Sequence, residues 1–178
     1  MMYFDSIKMN VIAPHFVDQE WTEAEVLGSA VWLWMNSENH RNLPLHTLSV
    51  ALLPAIKNKQ FILAFEDSKP VFFVSWANMS TEAEARYLSS HQLLMTPEDW
   101  RSGDRIWIVD WVAPFGHTKK MKRFLGGQLA PSTCARSLYH RAKERGRRVQ
   151  YFFGDLVSPQ ERHLWKQVHP LAGPVERQ

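Results

Sequence analysis

His40 and Asp110 are the residues whose settings in this sequence raise a question of chemistry. His40 lies in Ser37-Glu38-Asn39-His40-Arg41-Asn42, directly after the apolar run Val31-Trp32-Leu33-Trp34-Met35. An imidazole that titrates near neutral pH at the end of an apolar arm is a candidate general base; it is also what a helix C-terminus attracts through its dipole. Asp110 stands between Val109 and Trp111 in the β-rich run Arg105 to Val112. A carboxylate inside a buried strand is costly unless paired or hydrogen-bonded. Asp110 therefore needs a partner or a cavity, or else lies at an exposed edge or is tied to an arginine such as Arg105. Spacing alone leaves both readings of each residue open.

Other chemistry is poorly served. His15, His46, His91, His117, His140, His163 and His169 show no HExxH or comparable metal spacing, so no metal is assigned. The single Cys134 excludes an intramolecular disulfide and a cysteine-cluster zinc site, and reads as a small, partly buried side chain. At 178 residues, 45% hydrophobic and 22% charged, the chain has the size of one domain and enough apolar residues for a core. No run approaches the roughly 20 apolar residues of a membrane span. The N-terminus MMYFDSIKMNVIAPHF lacks a basic start and a sustained apolar core, making it a poor signal peptide. A cytoplasmic protein is expected. The net charge of +3 is modest, but Lys119 to Arg148 holds ten basic residues against the one acid Glu144, a segment able to attract an anionic partner.

The elements that must position His40 and Asp110 follow from caps and periodicity. Residues 1–20 read as an N-terminal arm and 21–178 as a single domain. Val26, Leu27, Ala30, Val31 and Trp34 recur at helical spacing over Glu23 to Met35, with Thr22 as cap and Glu25 three residues on. A second helix from Pro44 carries the stripe Leu45, Leu48, Leu52 and Ile56, which Pro54 should end or kink. Gln60 to Phe65 and Val71 to Trp76, joined by a turn at Asp67, Ser68 and Pro70, predict an antiparallel hairpin. Thr81 to Ser89 behind Ser80 reads as a helix, and a loop runs through Met95-Thr96-Pro97. Arg105 to Val112 reads as a central strand stopped by Pro114 to Gly116. Arg136 to Ala142 and Arg148 to Phe153 suit a hairpin turning at residues 143–146 better than a helix and strand, and Ser158 to Val168 a closing helix. The sum is an α+β fold with a mainly antiparallel mixed sheet flanked by helices.

With their surroundings, these stretches resemble the toxin-activating lysine acyltransferases that fatty-acylate RTX protoxins. Glu25 to Arg41, EVLGSAVWLWMNSENHR, is similar to that family's opening helix and SxxHR element. Leu53-Pro54-Ala55-Ile56 and Ser75-Trp76-Ala77-Asn78 with Ser80 are similar to its LPAI and SWANxS segments, and Ser102 to Gly116 to its SGDRxWxxDWxAPFG. The resemblance runs well from Glu25 to Gly116 and loosely beyond. It departs in the longer N-terminal arm, in Leu43 where tryptophan is usual, and across residues 129–178.

The resemblance implies a fold similar to the GNAT superfamily and His40 with Asp110 as the catalytic pair. It implies Ser37, Arg41 and Asn78 as substrate-binding or supporting residues. No permanent cofactor is implied; the co-substrate is the acylated phosphopantetheine of acyl-carrier protein, and the acceptor an RTX protoxin. A homodimer is implied by the resemblance alone. The superfamily's pyrophosphate loop is imperfect here, since Gln128 follows Gly126-Gly127 where a small residue should stand. A lysine ammonium, with an unperturbed pKa about 10.4, must lose a proton before it attacks a thioester, and imidazole is a suitable acceptor. Two other readings stay in play. One is a coenzyme A dependent acetyltransferase on the same fold; the other is a nucleic-acid-binding module using the arginines around Arg145 with Tyr139, Tyr151 and Phe152 as stacking partners.

Overall fold

The computed structural model describes residues 1–90, 95–139 and 148–175. Thr22 opens helix α1, Glu23–Met35, by accepting the Glu25 N–H at 3.2 Å. Val26, Ala30, Leu33 and Trp34 then fall on one buried face, as the three-and-four spacing requires. Between α1 and the next strand the chain does not form the single helix expected from Pro44. A 3-10 turn at Leu45–Thr47 precedes α2, Leu48–Ala51, and α3, Leu53–Lys57. Pro54 has no N–H to give and sits in the first turn of α3, so the break falls just before it, at Leu52. Leu52 and Ile56 are fully buried, whereas Leu45 is 80% exposed, so the predicted stripe survives only in its second half.

Among the described residues the strands form a seven-stranded sheet in the order β1-β2-β3-β4-β5-β6-β7. They are β1, Met2–Phe4; β2, Met9–Ile12; β3, Phe61–Glu66; β4, Lys69–Met79; β5, Arg105–Val112; β6, Cys134–Tyr139; and β7, Arg148–Phe153. β1/β2, β2/β3, β3/β4 and β6/β7 pair antiparallel, and β5/β6 pair parallel. This is the α+β, mainly antiparallel mixed sheet that the sequence predicts. The β3/β4 turn is made by Asp67 and Ser68, both at positive φ (48° and 65°), the backbone of a tight two-residue hairpin turn. Pro70 lies within β4 and pairs with Phe65, not in the turn.

Residues 1–20 are not the arm expected. They contain β1 and β2, and Met9, Val11, Ile12 and Ala13 are buried. A strand of four residues shows too little alternation to be read, and its partner β3 lies some fifty residues on.

The chain's contacts group it into two compact units. The first is Met1–Trp76 with Asp110–Phe124, and it contains α1 to α3, β1 to β3 and α5, Thr118–Phe124. The sequence reading assigns no element to the residues of α5. Met121 and Phe124 are nevertheless buried one turn apart.

The second unit is Ala77–Val109 with Leu125–Gln178. Here α4, Thr81–Ser89, begins where Ser80 Oγ accepts the Ala83 N–H at 3.2 Å. A 3-10 turn at Pro97–Trp100 follows Thr96 in what reads as plain loop, because the Thr96-Asp99 pair caps it reciprocally. α6, Pro159–Val168, starts with the Ser158–Glu161 capping box. The predicted β6/β7 hairpin is present; its turn lies outside the described residues.

Candidate active site

The side chains that meet around His40 all belong to the first unit. α1 ends at Met35, and the chain then turns tightly: Ser37 N–H bonds Trp34 O at 3.0 Å, His40 N–H bonds Ser37 O at 3.1 Å, and Leu43 N–H bonds His40 O at 2.9 Å. These local bonds hold the imidazole at a defined place beyond the helix. Its Nε2 lies 3.0 Å from Asp110 Oδ1, seventy residues away in sequence, and its Nδ1 lies 2.7 Å from Ser37 Oγ. The other carboxylate oxygen, Asp110 Oδ2, accepts the Trp34 indole N–H at 2.9 Å. The Trp34 and His40 rings lie 5.0 Å apart at 33°. The side chains of His40 and Asp110 are 13% and 8% exposed, so both are largely removed from water without being sealed.

Burial acts against charge on His40, but the nearby Asp110 carboxylate and its hydrogen bond outweigh it, and the imidazole pKa is raised above its ordinary 6.5. An ionised carboxylate only accepts, so neutral His40 carries its proton on Nε2 and donates it to Asp110. Nδ1 is then the acceptor of the Ser37 hydroxyl, so a proton reaches that lone pair through the hydroxyl or as the hydroxyl turns away. A base oriented by a carboxylate and buried enough to be shielded is an arrangement for removing a proton from a nucleophile.

The predicted site residues divide. His40, Asp110 and Ser37 are brought together. Arg41 follows on the same turn with an exposed side chain. Asn78 belongs to the second unit, where its Oδ1 is buried with no hydrogen-bond partner among the described residues and its backbone oxygen accepts the Gly103 N–H at 3.0 Å. The arginine tie considered for Asp110 is replaced: Arg105 donates instead to Glu84 at 2.6 Å. Trp34 is the contact that sequence reasoning missed. Its signal was present, since a buried indole N–H needs an acceptor and a buried carboxylate needs donors.

The basic segment is also less free than its charge suggests. Arg136 is buried, ion-paired with Glu84 and set over the Trp165 ring at 4.7 Å. Lys120 lies 3.4 Å from Glu66. Arg141, Lys143, Arg145 and Arg147 fall outside the described residues. Of the stacking partners considered for nucleic acid, Tyr151 packs parallel to Phe153, at 6.2 Å and 7°. No group of metal-binding side chains occurs among the described residues.

Comparison with known proteins gives consistent matches. The leukotoxin-activating lysine-acyltransferase LktC serotype A1 of Mannheimia haemolytica is 40% identical over 131 residues, 72% of this chain and 77% of that protein. The protein-lysine myristoyltransferase HlyC of Escherichia coli is 37% identical over 146 residues, 82% of this chain and 85% of that one. Among solved structures, the loading GNATL domain of CurA from Lyngbya majuscula aligns at a TM-score of 0.44 and 14% identity, covering 91% of this chain and 83% of that one, a likeness too distant to carry an argument. The HlyC family, described as the RTX toxin acyltransferase family, matches residues 19–153. That span includes every residue bonded around His40, and on it the chain belongs to the RTX toxin acyltransferase family and is an acyltransferase.

Proposed function

We propose that this acyltransferase moves a fatty acyl group from the thioester of acyl-carrier protein to internal lysine ε-amines of an RTX protoxin, with His40 as general base. The observation that carries this reading is the bond between His40 Nε2 and Asp110 Oδ1, which joins two family motifs seventy residues apart. The acceptor ammonium gives its proton to the Ser37 hydroxyl as that hydroxyl passes its own to His40 Nδ1. The free amine attacks the thioester carbonyl carbon, the carbon–sulfur bond breaks, and the departing thiolate takes the proton from the imidazolium; the neutral imidazole so restored takes the second proton from the amide-forming nitrogen and releases it to solvent, leaving a neutral amide. Asp110 keeps the ring in the tautomer that accepts at Nδ1 and stabilises the imidazolium while it lasts. Arg41, exposed beside His40, is the supporting residue in this reading.

Acyl-carrier protein as donor is favoured over coenzyme A by the Gly126-Gly127 stretch. A Cβ at Gly127 would stand 3.0 Å from the Asp155 carboxylate, and Asp155 N–H bonds Gly126 O at 2.8 Å. An acid held against that backbone repels an anionic pyrophosphate. Lys119, Lys122 and Arg123 of α5 suit an acidic carrier protein. Among the described residues no helix is long and apolar enough to cross a membrane.

The test is mass spectrometry of the cognate protoxin after incubation with the full chain and either acyl-carrier thioester or acyl-coenzyme A. Acylated lysines are expected from the carrier thioester. No modification with it rejects the reading, and equal modification from coenzyme A rejects the donor assignment.

A further inference from the structure

Asp110 is held from two sides, and only one of its partners belongs to the proposed chemistry. Its Oδ1 faces His40, while its Oδ2 accepts the Trp34 indole N–H at 2.9 Å in a buried bond that spans 76 residues. A carboxylate bonded through one oxygen can still swing about its Cβ–Cγ bond. A donor on each oxygen removes that freedom. The indole also lies along the His40 ring, at 5.0 Å and 33°, so one side chain touches both members of the pair. Trp34 is in the last turn of α1, on the buried face with Ala30 and Leu33, and its own ring is 4% exposed. Helix packing therefore fixes the donor before any substrate arrives.

We propose that Trp34 is a positioning residue: its indole N–H locks the Asp110 carboxylate in the one orientation that presents Oδ1 to His40 Nε2. The catalytic part of this inference rests on the function proposed above; the geometric part does not. Around the imidazole the hydrogen-bonding and ring partners are Asp110 from β5, Ser37 from its own turn and Trp34 from α1, and the charged residues of that turn, Glu38 and Arg41, are exposed. Asp110 is thus the charge to which His40 responds. Without the indole donor, the carboxylate can rotate about its Cβ–Cγ bond, which weakens its hold on the imidazolium.

The test uses the full chain carrying Trp34→Phe, which keeps an aromatic ring and loses the N–H. kcat is expected to fall about tenfold with KM for the acyl donor within about twofold, the pattern of a lost transition-state interaction. In the free protein, the NMR titration midpoint of His40 is expected to move down from the wild-type value. A merely structural tryptophan would leave that midpoint in place. The wild type supplies an arm that needs no core substitution: the Trp34 indole proton resonance should shift as His40 titrates, and should be displaced in Asp110→Asn. An unchanged or raised His40 midpoint in Trp34→Phe overturns the proposal. If Trp34→Phe does not fold, an indole resonance indifferent to both His40 titration and Asp110→Asn overturns it. The NMR arms involve no acyl transfer, so inactivity toward a chosen protoxin would fail the functional reading and not this one.

Discussion

His40 is bonded through both ring nitrogens, to Asp110 at 3.0 Å and to Ser37 at 2.7 Å; in the proposed mechanism the first contact holds the ring and the second marks the nitrogen that accepts a proton. His40→Ala removes the acceptor and should lower acyl transfer by a factor of about 10² to 10⁴, the usual worth of a positioned base. Circular dichroism should still show the native fold, checked alongside the activity; full activity in the variant would discard His40 from the mechanism. The pH dependence follows from the sign of the perturbation. Asp110 raises the imidazole above 6.5, so the active neutral form accumulates only above that value, and kcat should climb through an inflection higher than 6.5. In Asp110→Asn burial remains and the attraction is gone, so the inflection should drop below its wild-type position while the maximum rate falls. An inflection that stays put would show that another group titrates. The same pairing is linked to folding. A raised folded-state pKa contributes stability that is complete below His40's ordinary 6.5 and is lost as pH rises through the raised value. The stability gap between the wild type and His40→Gln should therefore narrow with increasing pH.

At the scale of elements, β4 and the turn before β5 meet in a contact that tolerates no side chain. Gly103 N–H bonds Asn78 O, and a Cβ on Gly103 would fall 2.5 Å from Met79 O and 2.7 Å from Ser80 N. Both neighbours are backbone and cannot turn aside, so Gly103→Ala should destabilise the protein by about 1–3 kcal/mol, the range for forced overpacking. Urea denaturation would show a lower midpoint; an unchanged midpoint would mean that the contact opens freely. The elements that were legible were those with local signals. Thr22, Ser80 and Ser158 each accept the N–H predicted of a capping residue, and α1, α4 and α6 begin beside them. β5 runs from Arg105 to Val112 as its composition predicts. α5 was not legible, since it is short and polar in composition and its stability comes from burying Met121 and Phe124.

On the larger scale, the second unit is organised about one buried charge. Glu84 is 0% exposed and accepts from Arg105 at 2.6 Å, Trp107 Nε1 at 2.8 Å, Ala172 N–H at 3.2 Å, and Arg136. Arg105 also donates to Pro170 O at 2.6 Å, and Arg136 to His169 O, so the chain after α6 is fastened to the same cluster. Breaking a buried pair leaves an uncompensated charge. Glu84→Gln should cost about 3–5 kcal/mol and release the C-terminal residues to proteolysis, whereas replacing an exposed acid such as Glu98 should do neither. Limited proteolysis followed by mass analysis of the fragments checks this, and equal resistance of Glu84→Gln and wild type would refute it.

The sequence by itself determined which segments become helices and strands wherever caps, periodicity and turn residues lie within a few positions of one another, and it carried the motifs that announce the family. Those signals are local, and local geometry follows from neighbouring residues. Only the tertiary structure decided the pairings. Asp110 could have turned to Arg105 five residues away, yet it is bonded to His40 and Trp34, and Arg105 to Glu84. β2 found β3 across more than fifty residues. A buried donor or acceptor states in the sequence only that it needs a partner, and several partners satisfy that need equally well on paper. Which one it meets is settled by the packing of whole elements, whose cooperative burial outweighs any single bond.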